Sequence, residues 1–359
     1  LKDLGQLDAA VKSYKQALAI KPDYADAYNN LGVTLQELGQ QDAAVKSFEK
    51  ALAIKPDFAD ANYNLGNVLK KLNQLDAAVK CFEQALAIKP DYADAHNNLG
   101  NALKDLGQLD AAVKCYEKAI AIRPDYAQVH QNHGGAMKRL KRLDKALASF
   151  ERALVLNPEL NFLLGDSLHS KMLLCLWDDL PNDLNELQNK VNNNEKVIEP
   201  FSMLGLIDDP EVQRKVAKIY GNDKHPQSNV LSKIECYSRH TKIRIGYFSA
   251  DFREHPVSTL TAELYEIHDR SHFEIHAFSY GPDTNDEMNL RIQAGVDHFY
   301  DVRTMSHQDV AMLARSLEID IAVDLGGYTK NSRTGIFAMS AAPIQASYIG
   351  YIGTMSANY

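Results

Sequence analysis

Residues 1–160 repeat one pattern of apolar, small and polar positions at a fixed interval. A proline, a glycine and an alanine each recur at this interval. They are Pro22, Pro56, Pro90, Pro124 and Pro158; Gly32, Gly66, Gly100 and Gly134; and Ala44, Ala78, Ala112 and Ala146. The small residues allow two helices to approach closely, and the proline ring ends the second helix because it removes a backbone donor. The pattern therefore predicts two packed helices in each period.

The interval and the order of the markers within it are those of the tetratricopeptide repeat (TPR). One period contains, in sequence, Leu31-Gly32, Ala44, Phe48, Ala51 and Pro56, and the next contains Leu65-Gly66, Ala78, Phe82, Ala85 and Pro90. Such repeats stack into a right-handed superhelix with a concave inner surface. Residues 1–160 are therefore predicted to form about four and a half repeats, and residues 1–24 are the rear of an incomplete one.

An asparagine occupies the same position on the first helix of each repeat. These residues are Asn30, Asn64, Asn98 and Asn132. Asparagine is a mediocre helix former, so its regular recurrence asks for a reason. A carboxamide both donates and accepts hydrogen bonds, and it can therefore bind the backbone of an extended peptide. The alternative is that asparagine was copied with the repeat as a solvated residue of the inner face.

Residues 161–240 break the period and are predicted to connect the solenoid to a second domain. Residues 162–165 and 168–176 have the composition of a capping helix pair, and residues 181–195 contain enough leucine for one more helix. Asp209-Pro210 has the composition of a helix start. Residues 221–228 are predicted to form a loop.

From Lys242 onward, short apolar runs alternate with helical segments. Strands are predicted over residues 243–248, 273–280, 298–302, 319–325 and 344–349, and helices over 257–267 and 306–317. Continuous apolar strands alternating with helices indicate a parallel sheet covered on both faces. Ligands of such sheets bind at the carboxyl ends of the strands, which here are residues 249–256, 326–329 and 350–354.

Composition and missing motifs exclude several classes of function. The net charge of −8 argues against nucleic acid or an anionic membrane as the main partner. The sequence lacks the glycine fingerprint of dinucleotide sites, a Walker A loop and a nucleophile elbow. It also lacks an Asp-x-Asp motif and zinc-ligand spacing, so neither a metal nor a cofactor is expected.

Several segments together resemble the protein O-GlcNAc transferase family. They are the TPR array, Ile243 to Pro256 (which contains Ser249-Ala250-Asp251-Phe252 and His255-Pro256), Gly327-Tyr328-Thr329-Lys330, Ala342-Pro343-Ile344-Gln345 and Gly350-Tyr351-Ile352-Gly353-Thr354. The resemblance covers essentially the whole chain. It implies an α plus α/β fold: a TPR α-solenoid (1–160), a helical connector (161–240) and a Rossmann-like parallel-sheet lobe (241–359), which is the N-terminal half of a GT-B domain.

The resemblance also implies a function and a site. The family transfers GlcNAc from UDP-GlcNAc to Ser or Thr of proteins, and its asparagine ladder (Asn30, Asn64, Asn98 and Asn132) binds the acceptor peptide. His255 matches the active-site histidine of the family, which acts as a general base or positions the acceptor. Tyr328, Thr329 and Lys330 are expected to line the same cleft. We expect a cytoplasmic protein whose partners are acceptor proteins or peptides, and a homo-oligomer formed through the repeats is left open.

Two alternatives remain at this point: a TPR interaction module without catalysis, and an O-fucosyltransferase of the same family. The sequence stops at Tyr359, where relatives continue into the nucleotide-binding lobe, so the fragment alone is expected to be inactive. Ile352 stands where relatives usually carry a proline, which predicts a looser loop near the cleft.

Overall fold

The computed structural model describes residues 5–234, 237 and 240–357. The chain divides into two compact units, Leu1–Trp177 and Asp178–Tyr359. Each unit has its own hydrophobic core. No helix among the described residues is both long and apolar enough to cross a membrane.

The first unit is built from helices. They are α1 (Leu7–Ile20), α2 (Ala25–Glu37), α3 (Gln41–Ile54), α4 (Ala59–Lys71), α5 (Leu75–Ile88), α6 (Ala93–Asp105), α7 (Leu109–Ile122), α8 (Ala127–Arg139), α9 (Leu143–Leu156) and α10 (Leu163–Leu173). Helices α2 to α9 form packed pairs of sequence neighbours: α2 on α3, α4 on α5, α6 on α7 and α8 on α9. The prediction of two helices per period is confirmed.

A glycine of each first helix lies against an aromatic ring of the second helix of the same repeat. A Cβ placed on Gly66 would lie 2.7 Å from Cε1 of Phe82, and one on Gly100 would lie 2.6 Å from Cε1 of Tyr116. Both rings are completely buried. Any side chain larger than that of glycine would displace the ring, so this contact fixes how closely the two helices of a repeat approach.

The expected capping helix pair after the last repeat is a single helix, α10. Phe162 adopts a left-handed conformation (φ 63°) directly before it, and Cys175 does so (φ 56°) after it. Leu163 and Leu168 are both buried, which holds the segment together as one continuous helix packed on α9. The prediction of two helices over residues 162–165 and 168–176 is therefore wrong.

The second unit begins with three helices, α11 (Leu180–Asn192), α12 (Pro200–Met203) and α13 (Pro210–Lys224). The predicted start of α13 is confirmed, because Oδ1 of Asp209 accepts hydrogen bonds from the N–H groups of Glu211 (2.9 Å) and Val212 (3.2 Å). The loop expected from Gly221 starts later than predicted. Gly221 lies within α13, where a Cβ would approach the hydroxyl of Tyr328 to 2.6 Å, so this glycine serves close packing and does not end the helix.

A five-stranded parallel sheet follows, as predicted. Its strands are β1 (Ile243–Ser249), β2 (Phe273–Ser279), β3 (His298–Asp301), β4 (Ile321–Asp324) and β5 (Ile344–Ser347). The intervening helices are α14 (Pro256–Ile267), α15 (Glu287–Gly295), α16 (His307–Ser316) and α17 (Gly335–Ala338). The order in the sheet is β3-β2-β1-β4-β5, and each neighbouring pair is parallel.

Both faces of the sheet are covered by apolar side chains. Phe248 and Phe278 stack on one face with ring centroids 4.3 Å apart, whereas Ile245 and Ile275 lie in the core of the other. Burial on both faces explains why the strands are continuous apolar runs. The strand order reverses between β1 and β4, and such a reversal leaves a crevice at the carboxyl ends of these two strands. The Rossmann-like part of the prediction is confirmed.

Candidate active site

His255 is the residue immediately before α14, in the segment that follows β1. Its Nδ1 accepts a hydrogen bond from the N–H of Val257 (3.3 Å), so the imidazole caps the amino end of the helix. The same Nδ1 lies 3.7 Å from Oδ2 of Asp251, and 32% of the His255 side chain is exposed. The histidine is therefore held by its Nδ1 side, and part of the ring remains available to solvent or to a ligand.

This capping bond fixes the tautomer of the neutral ring. A nitrogen that accepts a backbone N–H carries a lone pair, so the proton of neutral His255 is on Nε2. In this arrangement Nε2–H can donate a hydrogen bond but cannot accept one. It would accept a proton only if Nδ1 became the protonated nitrogen, for which the carboxylate of Asp251 is the adjacent acceptor.

The carboxyl ends of β1, β4 and β5 meet beside His255. A Cβ on Gly350, just after β5, would overlap the carbonyl oxygen of Leu325 and would lie 3.5 Å from Cγ2 of Val257. The segments that follow these three strands are thus in contact through a glycine that admits no side chain. This is the place at which parallel α/β sheets bind their ligands.

Two polar residues at this edge were missed by the sequence analysis. Asp324 is the last residue of β4 and is buried; its Oδ1 accepts the N–H of Gly326 at 2.8 Å, and burial raises its pKa. Tyr280 directly follows β2, and its hydroxyl lies 3.3 Å from the position that a Cβ on Gly326 would take. Burial raises the pKa of Tyr280 too, with a further contribution from Asp324.

The signal for both residues was present in the sequence. Each stands at the end of a predicted strand, which is where polar groups of a parallel sheet converge. Inspection of all strand ends, in addition to those that match a family motif, would have found them.

The three cleft candidates after β4 have different environments. Tyr328 is buried, donates a hydrogen bond to the carbonyl oxygen of Met355 (2.9 Å) and packs edge-on against Tyr220, with centroids 5.1 Å apart. The Tyr328 side chain therefore contacts both α13 and the C-terminal segment. Thr329 donates to the carbonyl oxygen of Gly326 (2.7 Å) and closes the turn, whereas Lys330 is exposed. Substrate contact by these residues stays a prediction.

A cavity of about 400 Å³ lies at the carboxyl ends of β4 and β5, and its walls include Asp324, Ser347, Tyr351 and Thr354. Ile352, which replaces the expected proline, is 88% exposed. Its side chain therefore adds no packing to this loop.

The asparagine ladder of the first unit is held by hydrogen bonds between neighbouring repeats. Nδ2 of Asn64 donates to Oδ1 of Asn29 in the preceding repeat (3.0 Å). Two repeats later, Nδ2 of Asn132 donates in the same way to Oδ1 of Asn97 (2.9 Å).

Asn98 departs from this pattern. Its Nδ2 donates to Oδ1 of Asn67 (2.8 Å) and to the hydroxyl of Tyr63 (3.1 Å). Asn30 is exposed. Three of the four ladder residues thus link successive first helices, a role that the sequence analysis did not consider.

Comparison with protein families gives matches over both units. The model of glycosyl transferase family 41 matches residues 216–359. The model described as TPR repeat matches residues 1–39, 35–73 and 66–107, and that of the tetratricopeptide repeat matches residues 93–126.

Curated relatives carry one activity in their names. The chain is 32% identical over 210 residues to the probable UDP-N-acetylglucosamine–peptide N-acetylglucosaminyltransferase SEC of Arabidopsis thaliana, a match of 54% of this chain and 21% of that protein. It is 36% identical over 121 residues to the UDP-N-acetylglucosamine–peptide N-acetylglucosaminyltransferase of Caenorhabditis elegans, covering 33% of this chain and 10% of that protein. The chain thus spans about a fifth or less of the length of these relatives.

Among solved structures, a mutant of the Thermobaculum terrenum O-GlcNAc transferase aligns with 97% of this chain and 52% of its own, at 22% identity and a TM-score of 0.38. The two family models divide the chain as its motifs do, repeats first and transferase segment second. The chain thus combines tetratricopeptide repeats with a segment that matches glycosyl transferase family 41, and it is similar over both parts to TPR-containing peptide N-acetylglucosaminyltransferases.

Proposed function

We propose that this chain forms the acceptor side of a protein O-glycosyltransferase that moves GlcNAc from UDP-GlcNAc to Ser or Thr hydroxyls. The observation that carries the proposal is the position of His255 at the carboxyl end of β1, beside the reversal of strand order and with part of its ring exposed. The names of the relatives support UDP-GlcNAc as the donor and peptides as the acceptors. The transfer is assigned no metal and no cofactor.

The reaction needs help with one proton. The acceptor oxygen bonds to the anomeric carbon, the bond from that carbon to the UDP oxygen breaks, and the hydroxyl proton must leave. Hydroxyls of Ser and Thr are weak nucleophiles, and developing charge must be stabilised on the departing phosphate.

His255 can take either of two roles in this step. With Nδ1 on the Val257 N–H, its Nε2–H donates and positions an oxygen of the acceptor or the phosphate. If the ring turns so that Nδ1–H donates to Asp251, which is 3.7 Å away, Nε2 becomes the proton acceptor. We assign the positioning role to the arrangement observed and the base role to the Asp251-oriented one.

The repeats are assigned the binding of the acceptor polypeptide. Among the described residues, the carboxamide of Asn64 makes one hydrogen bond, which uses a single N–H. Its carbonyl oxygen and its second N–H are therefore assigned to a peptide backbone. Hydrogen bonds to the backbone are independent of side-chain identity, which suits an enzyme with many acceptors. A second copy of the chain is the alternative partner of the same surface, and the cytoplasmic location stays a prediction.

Replacing Asn64, Asn98 and Asn132 together by alanine is expected to weaken the binding of extended acceptor peptides. Each lost hydrogen bond costs on the order of 0.5–1.5 kcal/mol, so the affinity should fall roughly tenfold or more. Fluorescence anisotropy with a labelled Ser/Thr peptide measures the affinity, and circular dichroism checks the helical content.

A matched control separates peptide binding from the bonds between repeats. Replacing Asn29 and Asn97 by alanine removes the acceptors of Asn64 and Asn132 but leaves the ladder side chains in place. This control is expected to lower the melting temperature while keeping most of the peptide affinity. Equal loss of affinity in both variants would mean that the ladder acts only by holding the repeats together.

A further inference from the structure

A group of metal-ligating side chains lies on the sheet away from the candidate active site. Glu274 and His276 are two residues apart on β2 and therefore point to the same face. His298, the first residue of β3, is paired with His276 in the register of the sheet. One ligand atom from each of these three side chains lies within 4.8 Å of the other two.

The buried member of this group has an unused ring nitrogen. His276 is 3% exposed, and its Nδ1 lies 3.3 Å from the hydroxyl of Tyr300. Its Nε2 has no hydrogen-bond partner among the described residues, and it lies 3.9 Å from Oε1 of Glu274, too far for a hydrogen bond. A buried polar atom without a partner costs free energy, so a ligand for it is the natural explanation.

The geometry is close to that of a zinc site. Zinc binds histidine nitrogen and carboxylate oxygen at about 2.0–2.2 Å in a tetrahedral arrangement, which places neighbouring ligand atoms about 3.4 Å apart. The observed separations from Oε1 of Glu274 are 3.0 Å to Nε2 of His298 and 3.9 Å to Nε2 of His276. His298 is 45% exposed, so its ring can move the short distance that closure on an ion requires.

The surroundings hold the ligands in the required orientation. Nε of Arg244 donates to Oε2 of Glu274 (3.0 Å), which leaves Oε1 directed toward the histidines. The hydroxyl of Tyr300 can accept the Nδ1–H of His276, which fixes the lone pair on Nε2. The positive charge of Arg244 repels a dication. The carboxylates of Glu274 and Glu318, both within 3.4 Å of its guanidinium, compensate this positive charge.

We infer that Glu274, His276 and His298 bind a zinc ion, with solvent as the fourth ligand. The ion links β3 to β2 and stabilises their pairing. β3 is a strand of four residues at the edge of the sheet. The site lies toward the amino ends of the strands, with Glu274 five and His276 three residues before the end of β2. It is therefore roughly 10–16 Å, measured along the strand, from the edge of the sheet at which the candidate active site lies. It therefore acts on the stability of the lobe and takes no part in sugar transfer.

The test uses the full protein without a histidine tag, stripped with a chelator and titrated with Zn²⁺ against a chromophoric zinc indicator. We expect one equivalent to bind with high affinity and to raise the melting temperature. His298→Ala, at an exposed position, should lower the affinity roughly 100-fold or more, since even outer partners of metal ligands are worth 10–100-fold. Glu274→Gln, which keeps the size of the side chain, should also weaken binding.

His272→Ala is the matched control. This histidine is 74% exposed and pairs with Asp269 in the same unit, but it is not one of the proposed ligands, so its replacement should leave zinc affinity unchanged. The inference is overturned if the wild type binds no zinc, or if His298→Ala and Glu274→Gln both retain the wild-type affinity. Loss of affinity in the His272→Ala variant alone would place the ion at His272 and Asp269. That result would also overturn the inference.

Discussion

Replacing His255 by alanine is expected to lower sugar transfer about 100-fold or more, the usual effect of losing a group that assists proton transfer. Binding of UDP should stay the same, because the family resemblance assigns the nucleotide to a separate nucleotide-binding lobe. Stability should fall by only about 1 kcal/mol, the cost of one helix cap, since the lost contact of the ring is its hydrogen bond to the Val257 N–H. Steady-state kinetics, calorimetry and a UDP titration on the protein as the cell produces it measure the three quantities.

Asparagine at position 255 is the matched control. Its side-chain oxygen can accept the Val257 N–H as Nδ1 of His255 does, so the cap is kept and the imidazole is lost. The account expects the asparagine variant to be as stable as the wild type and nearly as inactive as the alanine variant. Restored activity in the asparagine variant would show that His255 serves only to cap α14.

Replacing Phe82 by alanine is expected to destabilise the repeat unit by about 3–5 kcal/mol, the range for truncating a buried aromatic residue. The ring is completely buried and fills the space left by Gly66 on the facing helix. The neighbouring helices cannot close this cavity without losing contacts of their own. Chemical denaturation followed by circular dichroism measures the change in the free energy of unfolding.

Ile88→Ala, in the same helix, is the control for Phe82. Ile88 is 40% exposed, so its truncation should cost far less. Equal effects of the two substitutions would mean that the pairing of glycine and aromatic ring is not what holds the repeat together.

The elements of this protein were predictable because their periods are long and repeated. Markers at a fixed interval defined the helix pairs, and continuous apolar runs defined the parallel strands. The end of α13 was predicted too early, at Gly221, because a glycine that ends a helix and one that admits a neighbouring ring look the same in sequence. Only the contact with Tyr328 distinguishes them.

The sites were less predictable because they depend on register and on contacts between elements. His276 and His298 are far apart in sequence, and only the parallel pairing of β2 and β3 places them side by side. A search for ligand spacing along the chain therefore led to the expectation of no metal. Tyr328 follows a strand, as cleft residues do, yet its ring packs against Tyr220 on α13, which sequence position cannot reveal.

The most direct test of the central claim is a transfer assay on the protein as the cell produces it. Labelled UDP-GlcNAc and a labelled fucose-carrying nucleotide sugar are offered separately with an acceptor protein, and modified residues are mapped by mass spectrometry. The account predicts GlcNAc on Ser or Thr, lost in the His255→Ala variant. Fucose incorporation would contradict the assigned donor, and no incorporation from either donor with peptide binding intact would contradict the assignment of a transferase.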